Sequence, residues 1–356
     1  MNRNEVEELN KIFTAMAFIG VPLVLIGSYL KWSDIWIFVL CCISIIALAA
    51  FIGRATESLA IVSGPRIGGL LNATFGNAVE LIISIFTLKA GLIGIVLASL
   101  TGSVLGNLLL VLGLSFFAGG LKHKRQNFSI YDARFNSALL IFAVVVAFVI
   151  PEVFSVTMDT QTGLNLSIGI SIILILIYLA GLLFKLFTHR GVYSSENHET
   201  EEVPEWTKKK AMIVLLLSTV AVAFVSEKLV HTFGTLGEKF GWTELFIGVI
   251  IVAIVGNAAE HSSAITLAMK NKMDISVEIA IGSTLQIAMF VAPVLVLISL
   301  MMPQAMPLIF TWPELIAMIT ATLLVVNICH DGESNWFEGL ILFAAYLIMG
   351  IGFYLL

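Results

Sequence analysis

Two copies of one short motif place carboxylates where a charge is costly. The first copy reads GNAVE at 76–80 and the second reads GNAAE at 256–260, each inside a long apolar stretch. A charged side chain at the centre of a membrane helix costs at least about 2.5–3.5 kcal/mol, so such a group usually has a function. Glu80 and Glu260 are therefore predicted to form one cation site from two halves.

Each motif offers several oxygen ligands. Asn77 lies three residues before Glu80, and Asn257 lies three before Glu260, a spacing that puts both side chains on one helix face. A Gly-Asn pair disfavours a helix interior, so we expect a break in both copies that frees main-chain carbonyl groups. Carboxylate, amide and carbonyl oxygens suit Ca²⁺ better than a soft metal.

A serine hydroxyl follows each motif at the same distance along the chain. Gly-Ser dipeptides at 102–103 and 282–283 are separated by the same 180 residues that separate the two motifs. Ser103 and Ser283 are predicted to place further oxygens beside the carboxylates. The alternative interpretation is helix packing through small residues.

Three polar residues depart from this two-fold match. His261 directly follows the second motif, where the first half has Leu81. Because imidazole titrates near neutral pH, His261 is predicted to accept a proton; the alternative is a packed, hydrogen-bonded side chain. Gln286 is predicted as a further ligand, but it aligns with Gly106, and the amide of the first half is Asn107.

Composition places these residues in a membrane. Of the 356 residues, 59% are hydrophobic and 12% are charged, whereas a soluble domain has about 25% charged residues. The net charge is −5 and no basic face is present, so nucleic acid is not an expected partner. The three cysteines form no CxxC or Cys/His cluster, and no HExxH, catalytic Ser-His pair or Asp dyad is found. We therefore predict no cofactor and no enzyme activity.

The predicted fold is an all-α polytopic membrane protein with eleven transmembrane helices. A helical span needs about 20 apolar residues, and continuous runs of Leu, Ile, Val, Ala and Phe exclude the alternating pattern of a β-barrel. The predicted spans are 12–30, 35–62, 67–89, 91–120, 133–151, 166–187, 209–233, 243–269, 274–301, 311–329 and 335–355.

The common register of the motifs predicts an internal duplication. We expect two repeats of five spans, at 35–151 and 209–329, joined by a connecting helix and loop at 152–208. The segments 1–34 and 330–356 hold an extra N-terminal and an extra C-terminal helix. Because five is odd, the repeats are inverted in the membrane, an architecture that places a midplane site at the repeat interface.

Lysine and arginine in short loops predict the orientation. Basic clusters at 122–125, 208–210 and 270–272 fall on one side of the membrane by the span count, and the loop near 152–165 has no Lys or Arg. We therefore predict an integral protein of the cell membrane with a cytoplasmic N-terminus and an external C-terminus.

The longest loop, at about 188–208, is acidic. Its composition predicts a solvated hinge, and the alternative is a segment that collects cations or regulates transport. Its acidic residues are Glu196, Glu199, Glu201, Glu202 and Glu205.

With both halves in view, the chain resembles the calcium/cation:proton antiporters of the CAX type, within the wider cation/Ca²⁺ exchanger superfamily. The resemblance covers about 35–329 and rests on GNAVE, GNAAEH, the acidic middle loop and the eleven spans. The histidine after the second motif is more similar to CAX than to sodium/calcium exchangers. The resemblance implies that the exchanged ions bind at Glu80 and Glu260, with Asn77, Asn257, Ser103, Ser283 and Gln286 nearby.

The chemistry predicts exchange of Ca²⁺ for protons. Burial and a neighbouring like charge both favour the protonated form of a carboxylic acid. A pair of carboxylates is neutral with two protons or with one Ca²⁺, and the empty charged pair would cross the membrane poorly. Ca²⁺ and protons are thus the expected substrates, and the lipid bilayer is the expected surrounding. The sequence is compatible with either a monomer or a homo-oligomer. The alternatives are a sodium/calcium exchanger of the same superfamily and a passive cation channel.

Overall fold

The computed structural model describes residues 3–188 and 204–356, and these are almost entirely helical. Inside hydrocarbon a backbone must satisfy its own hydrogen bonds, and a helix does so within one segment. The helices are α1 Arg3–Tyr29, α2 Asp34–Ser63, α3 Pro65–Phe75, α4 Ala78–Lys89, α5 Ile93–Lys122, α6 Ile130–Ser155, α7 Thr160–Thr188, α8 Lys208–Phe240, α9 Glu244–Met269, α10 Met273–Ser299, α11 Trp312–Asp331 and α12 Trp336–Leu355. Two short strands, β1 Gln126–Asn127 and β2 Glu333–Ser334, pair antiparallel.

Ten of these helices are long and apolar enough to cross a membrane in the part of the chain that the structure describes. Each corresponds to one predicted span, which confirms the all-helical membrane fold. The span predicted at 67–89 is instead divided into α3, of 11 residues, and α4, of 12 residues. Neither half reaches the length of a complete crossing by itself.

The division between α3 and α4 falls at the first Gly-Asn pair. Gly76 and Asn77 form a turn between the two helices, as the sequence predicts. The break expected at the second pair is wrong, because α9 runs without interruption through Gly256 and Asn257. There Asn257 Nδ2 donates to the carbonyl oxygen of Ala253 one turn earlier, at 3.0 Å. The side chain therefore hydrogen-bonds to its own helix and does not compete with it.

The two helices that carry the Gly-Ser dipeptides, α5 and α10, form the centre of the molecule. Most of α5 and α10 is buried. Each contains a π-helical segment directly after its dipeptide, at Gly106–Val111 in α5 and at Ile287–Val291 in α10. Single π-helical turns are frequent at functional sites, and π-helical segments occur in α6, α7 and α9 as well.

Helices α2 and α8 pack against each other and are joined near both ends. Near one end Thr235 donates a hydrogen bond to Asp34. Near the other end Arg54 forms an ion pair with Glu205, in which Nε donates to Oε2 at 2.8 Å. The guanidinium carbon of Arg54 lies 4.8 Å from the centre of the Trp206 ring. The segment leading into α8 is thereby fixed to α2.

Each range predicted as a repeat holds four crossing units, and not the predicted five. The range 35–151 contains α2, the α3–α4 pair, α5 and most of α6, which are four crossing units. The range 209–329 contains α8 to α11, which are again four. Helices α7 and α12 follow these two groups at equivalent places in the chain.

Candidate metal centre

Two hydrogen-bonded triads, each centred on one serine, join the two motifs; together with the motif backbone they are here called the ring, and they are Glu80–Ser103–Asn257 and Glu260–Ser283–Asn77. In one half, Ser103 donates its hydroxyl proton to Glu80 Oε1, and Asn257 Nδ2 donates to Ser103 Oγ at 2.9 Å. Glu80 and Ser103 come from α4 and α5, whereas Asn257 comes from α9. Ser103 therefore contacts the carboxylate of its own half and the amide of the other half.

The second serine makes the same connections with the halves exchanged. Ser283 Oγ lies 2.7 Å from Glu260 Oε2 and 3.1 Å from Asn77 Oδ1. A hydroxyl has one proton to donate. If Ser283 donates it to Glu260, Asn77 must present its amide nitrogen to Ser283, as Asn257 does to Ser103. The assignment of an amide's oxygen and nitrogen follows from such a network, so this orientation makes the two halves equivalent.

The glycine at the start of each motif lies close to the other half. A Cβ placed on Gly76 would lie 3.4 Å from Glu260 Oε1 and 3.4 Å from Gln286 Oε1. A Cβ placed on Gly256 would lie 3.6 Å from Glu80 Cβ. Each glycine therefore faces the glutamate of the other half, and the predicted ligand Gln286 lies beside the ring.

The charge of the ring comes from two carboxylates. Glu80 is fully buried, its Oε2 atom makes no hydrogen bond to the described residues, and Glu260 is partly exposed. Among the described residues there is no cluster of three or more His, Cys, Asp or Glu side chains that could hold a metal. A cation at this ring would thus be held by two carboxylates together with neutral amide and hydroxyl oxygens, a donor set suited to a hard cation.

The ring is covered on one side and open on the other. The first half of α9 packs onto α5, so that a Cβ on Gly102 would collide with the backbone of Val249. At the equivalent position of the other half, a Cβ on Gly282 would meet nothing within 4 Å. In the first half, α3 occupies the place that corresponds to the first half of α9. Helix α3 packs on α2 instead, and a Cβ placed on Gly68 of α3 would lie 2.9 Å from Ala60 of α2. The two halves thus share their chemistry and differ in how they are packed.

His261 lies next to the ring without joining it. The imidazole of His261 packs against the π-helical segment of α5, and its Cε1 atom lies 3.7 Å from a Cβ placed on Gly106. The side chain is buried and Nε2 has no hydrogen-bond partner among the described residues. Asn107 is also buried, and its Nδ2 likewise makes no hydrogen bond there. The structure therefore brings neither residue into contact with a carboxylate of the ring.

A second fully buried carboxylate was not predicted from the sequence. Glu314 is 2% exposed and accepts a hydrogen bond from Thr101, two residues before Ser103 in α5, at 3.2 Å. Its other oxygen accepts from the backbone and hydroxyl groups of Thr311. The T-x-x-E spacing of Thr311 and Glu314 is a capping box, and this signal was available from the sequence. It assigns Glu314 a structural place at the start of α11.

Most of the acidic loop lies outside the residues that the structure describes. Glu196, Glu199, Glu201 and Glu202 fall outside the described residues. Glu205 is paired with Arg54 and has no contact with the ring.

Comparison with known proteins identifies the family of this chain. The family model described as sodium/calcium exchanger protein matches residues 33–187 and 210–355. The Ca²⁺/H⁺ antiporter ChaA of Bacillus subtilis (strain 168) is 68% identical over 98% of this chain and 100% of its own length. A Ca²⁺/H⁺ antiporter of Aphanothece halophytica is 43% identical over 97% of this chain and 96% of its own length.

Solved structures show the same architecture. The structure of native YfkE has a TM-score of 0.87 and 64% identity, covering 97% of this chain and 100% of that one. The H⁺/Ca²⁺ exchanger CAX has a TM-score of 0.73 at 15% identity, covering 96% of this chain and 91% of that one, and this likeness concerns the fold alone. Since the family model matches most of the chain and the ChaA relative matches nearly all of it, the chain belongs to the sodium/calcium exchanger protein family.

Proposed function

We propose that this protein exchanges Ca²⁺ for protons across the membrane by alternating access, with Glu80 and Glu260 as a shared midplane site. The observation that carries the proposal is the ring in which each serine bonds the carboxylate of one half and the amide of the other. The names of the relatives support it, because the ChaA relative and the Aphanothece protein are both Ca²⁺/H⁺ antiporters.

The ligands of the proposed Ca²⁺ site are the residues of the ring and its immediate neighbour. The carboxylates supply the charge, and the amide and hydroxyl oxygens complete a hard oxygen site. When Ca²⁺ binds, the serine hydroxyls turn their oxygens towards the cation and give up their hydrogen bonds to the carboxylates. The proposed ligands are Glu80, Glu260, Asn77, Asn257, Ser103, Ser283 and Gln286.

Coupling follows from the charge of the two carboxylates. A carboxylate in a low-dielectric interior is costly unless it is protonated or paired with a cation. The pair is neutral with two protons and again neutral with one Ca²⁺, so both loaded forms cross the membrane at lower cost than the empty form. This predicts at least two protons for each Ca²⁺. His261, buried beside the site, is the proposed acceptor of a further proton.

Alternating access would use the unequal packing of the two halves. In the present arrangement the first half of α9 covers the ring on one side, and α3 leaves the other side open at Gly282. If α3 moved onto α10 and the first half of α9 moved away from α5, the open side would close and the covered side would open. With the N-terminus in the cytoplasm of a cell-membrane protein, the open side faces the cytoplasm.

We further propose that the chain crosses the membrane eleven times. The pair α3–α4 then acts as one crossing. The two inverted repeats consist of α2 to α7 and of α8 to α12, five crossings each, so that α12 is the fifth crossing of the second repeat and α1 is the extra helix. The two segments matched by the family model, 33–187 and 210–355, support this division.

The test is transport by the purified protein in sodium-free vesicles that contain a pH-sensitive dye. Ca²⁺ added to one side should drive protons to the other, and an imposed pH gradient should drive Ca²⁺ uptake. Uptake that requires Na⁺ would favour a sodium/calcium exchanger. Ca²⁺ flux without proton movement would favour a channel, and either result would contradict the proposal.

A further inference from the structure

Three turns of the chain are fastened together at one face of the molecule. Strand β1, between α5 and α6, pairs with β2, between α11 and α12. Gln126 Nε2 donates to the Ala268 carbonyl oxygen at 2.8 Å and to Asn271 Oδ1 at 3.0 Å. The backbone nitrogen of Ser129 donates to Asp274 Oδ1 at 2.7 Å. The turns at 122–129, 269–274 and 331–335, here called the basic platform, therefore form one unit.

The basic platform carries more positive than negative charge. Its carboxylates are already engaged: Glu333 pairs with Arg125, Asp274 accepts from Ser129, and Asp331 accepts from the Glu333 backbone. In the described part of the chain none of its four lysines has a carboxylate partner within an ion pair. Three of them are exposed and Lys272 is partly exposed. The cations are Lys122, Lys124, Arg125, Lys270 and Lys272, against the carboxylates Asp274, Asp331 and Glu333.

Large apolar side chains border the basic platform. Leu121 is 66% exposed, Tyr131 is 57% exposed and Phe337 is 56% exposed. The backbone of Trp336 packs directly on Gly120, two residues before Lys122, and its ring contacts that of Phe337. Exposed aromatic residues next to lysines are typical of the level where a membrane protein meets the lipid headgroups. The platform thus lies at the edge of the bilayer.

We propose that the basic platform binds the headgroup of an anionic phospholipid. The uncompensated lysines match the phosphate and a second anionic charge in the bilayer surface, and the apolar border matches the glycerol and upper acyl chains. A free phosphate ion would use the lysines and leave the apolar border without a role. A divalent cation is disfavoured by the excess positive charge.

Such a lipid would act on the helices that carry the ring. The turn at 270–272 joins α9, which bears Glu260, to α10, which bears Ser283. The turn at 122–125 ends α5, which bears Ser103. A headgroup held between these turns would restrain α9 and α10 relative to α5.

Native mass spectrometry of the full-length protein tests the proposal. The protein is titrated with phosphatidylglycerol, or with phosphatidylcholine of the same acyl chains as the neutral control. The variant K122Q/K124Q/K270Q/K272Q should bind phosphatidylglycerol at least tenfold more weakly, since each lysine near an anionic surface contributes about fivefold. Its binding of phosphatidylcholine should be unchanged. The control K208Q/K209Q, which removes exposed lysines at the start of α8, should lose much less affinity than the fourfold variant, because these two lysines lie outside the basic platform.

Three outcomes would overturn the proposal. They are unchanged phosphatidylglycerol binding in the fourfold variant, an equal loss in K208Q/K209Q, and complete displacement of the lipid by millimolar inorganic phosphate. Should the fourfold variant fail to fold, as judged by circular dichroism and gel filtration, the pairs K122Q/K124Q and K270Q/K272Q replace it. Each pair should then give a partial loss, and no loss in either would equally contradict the proposal.

Discussion

At the scale of single residues, each serine of the ring has a double role. Ser103 and Ser283 each hydrogen-bond to the glutamate of their own half and to the asparagine of the opposite half. A change in protonation or cation binding at one carboxylate is therefore felt by a side chain of the other half. Residues coupled in this way are expected to act as one unit, with non-additive effects of substitution.

The first prediction concerns the carboxylates of the ring. Glu80→Gln and Glu260→Gln keep the size of the side chain and remove its titratable charge. Either change should reduce Ca²⁺/H⁺ exchange to the background of protein-free vesicles, while the protein still inserts. The double variant should be no worse than either single variant, because the carboxylates act as one unit. The measurement is proton-coupled Ca²⁺ flux normalised to folded protein.

Glu314 provides the matched control for this prediction. It is as deeply buried as Glu80, but it caps α11 and does not belong to the ring. Glu314→Gln should largely keep the capping box, because Gln also serves at this position, and it should keep measurable exchange. Near-normal flux in Glu80→Gln or Glu260→Gln would rule out the shared-carboxylate mechanism.

At the scale of helices, the main difference between the halves is the position of α3 and of the first half of α9. The break at Gly76-Asn77 separates α3 from α4, so α3 can pack on α2 at an angle of its own. Helix α9 is continuous and lies against α5. The proposed transport cycle would exchange the packing of these two segments.

The second prediction uses the two equivalent glycines of α5 and α10. Gly282→Ala should fold at least as stably as the parent, because the added methyl meets open space and alanine favours a helix by up to about 1 kcal/mol. It should nevertheless slow exchange by about tenfold or more, since the methyl would collide once α3 packs onto α10. The measurements are thermal unfolding and the exchange rate of the same preparation.

Two comparisons make this prediction specific. Gly102→Ala should destabilise the present packing by about 1–3 kcal/mol, because its methyl would meet the Val249 backbone. Gly169→Ala in α7 also points into open space and lies outside the ring, so it should leave exchange unchanged. Full exchange activity in Gly282→Ala would contradict the proposed movement of α3.

The third prediction concerns the segment that leads into α8. Replacing Glu196, Glu199, Glu201, Glu202 and Glu205 together by Gln should leave exchange measurable, because Glu205 pairs with Arg54 and not with the ring. Loss of the Arg54–Glu205 pair should cost no more than about 1 kcal/mol, since both side chains are partly exposed. Complete loss of exchange in a normally folded variant would mean that the ion site extends into this segment.

At the scale of the whole molecule, the orientation decides which side the open face of the ring meets. A reporter fused after residue 125 should be cytoplasmic, because this loop is basic, and one fused near residue 158 should be external. The measurement is a pair of reporters active on opposite sides of the membrane. Finding both positions on the same side would exclude the inverted arrangement of the repeats.

The sequence by itself determined the membrane fold and the chemistry of the site. Long apolar runs leave a helix as the only satisfied backbone, and the cost of a buried carboxylate marks Glu80 and Glu260 as special. The constant offset of 180 residues tied Ser103 and Ser283 to the two motifs. These features are local or periodic, so they can be read without knowing how the helices pack.

Only the tertiary structure decided how two nearly equal halves become unequal. Both halves contain Gly-Asn, yet α4 begins after the break at Gly76-Asn77 while α9 continues through Gly256-Asn257. The pairing of each serine with the asparagine of the opposite half, and the open space at Gly282, likewise depend on packing between distant segments. Both copies contain the same Gly-Asn pair, and glycine lowers local helix propensity by only about 1 kcal/mol relative to alanine, so contacts made by the surrounding helices determine which copy breaks.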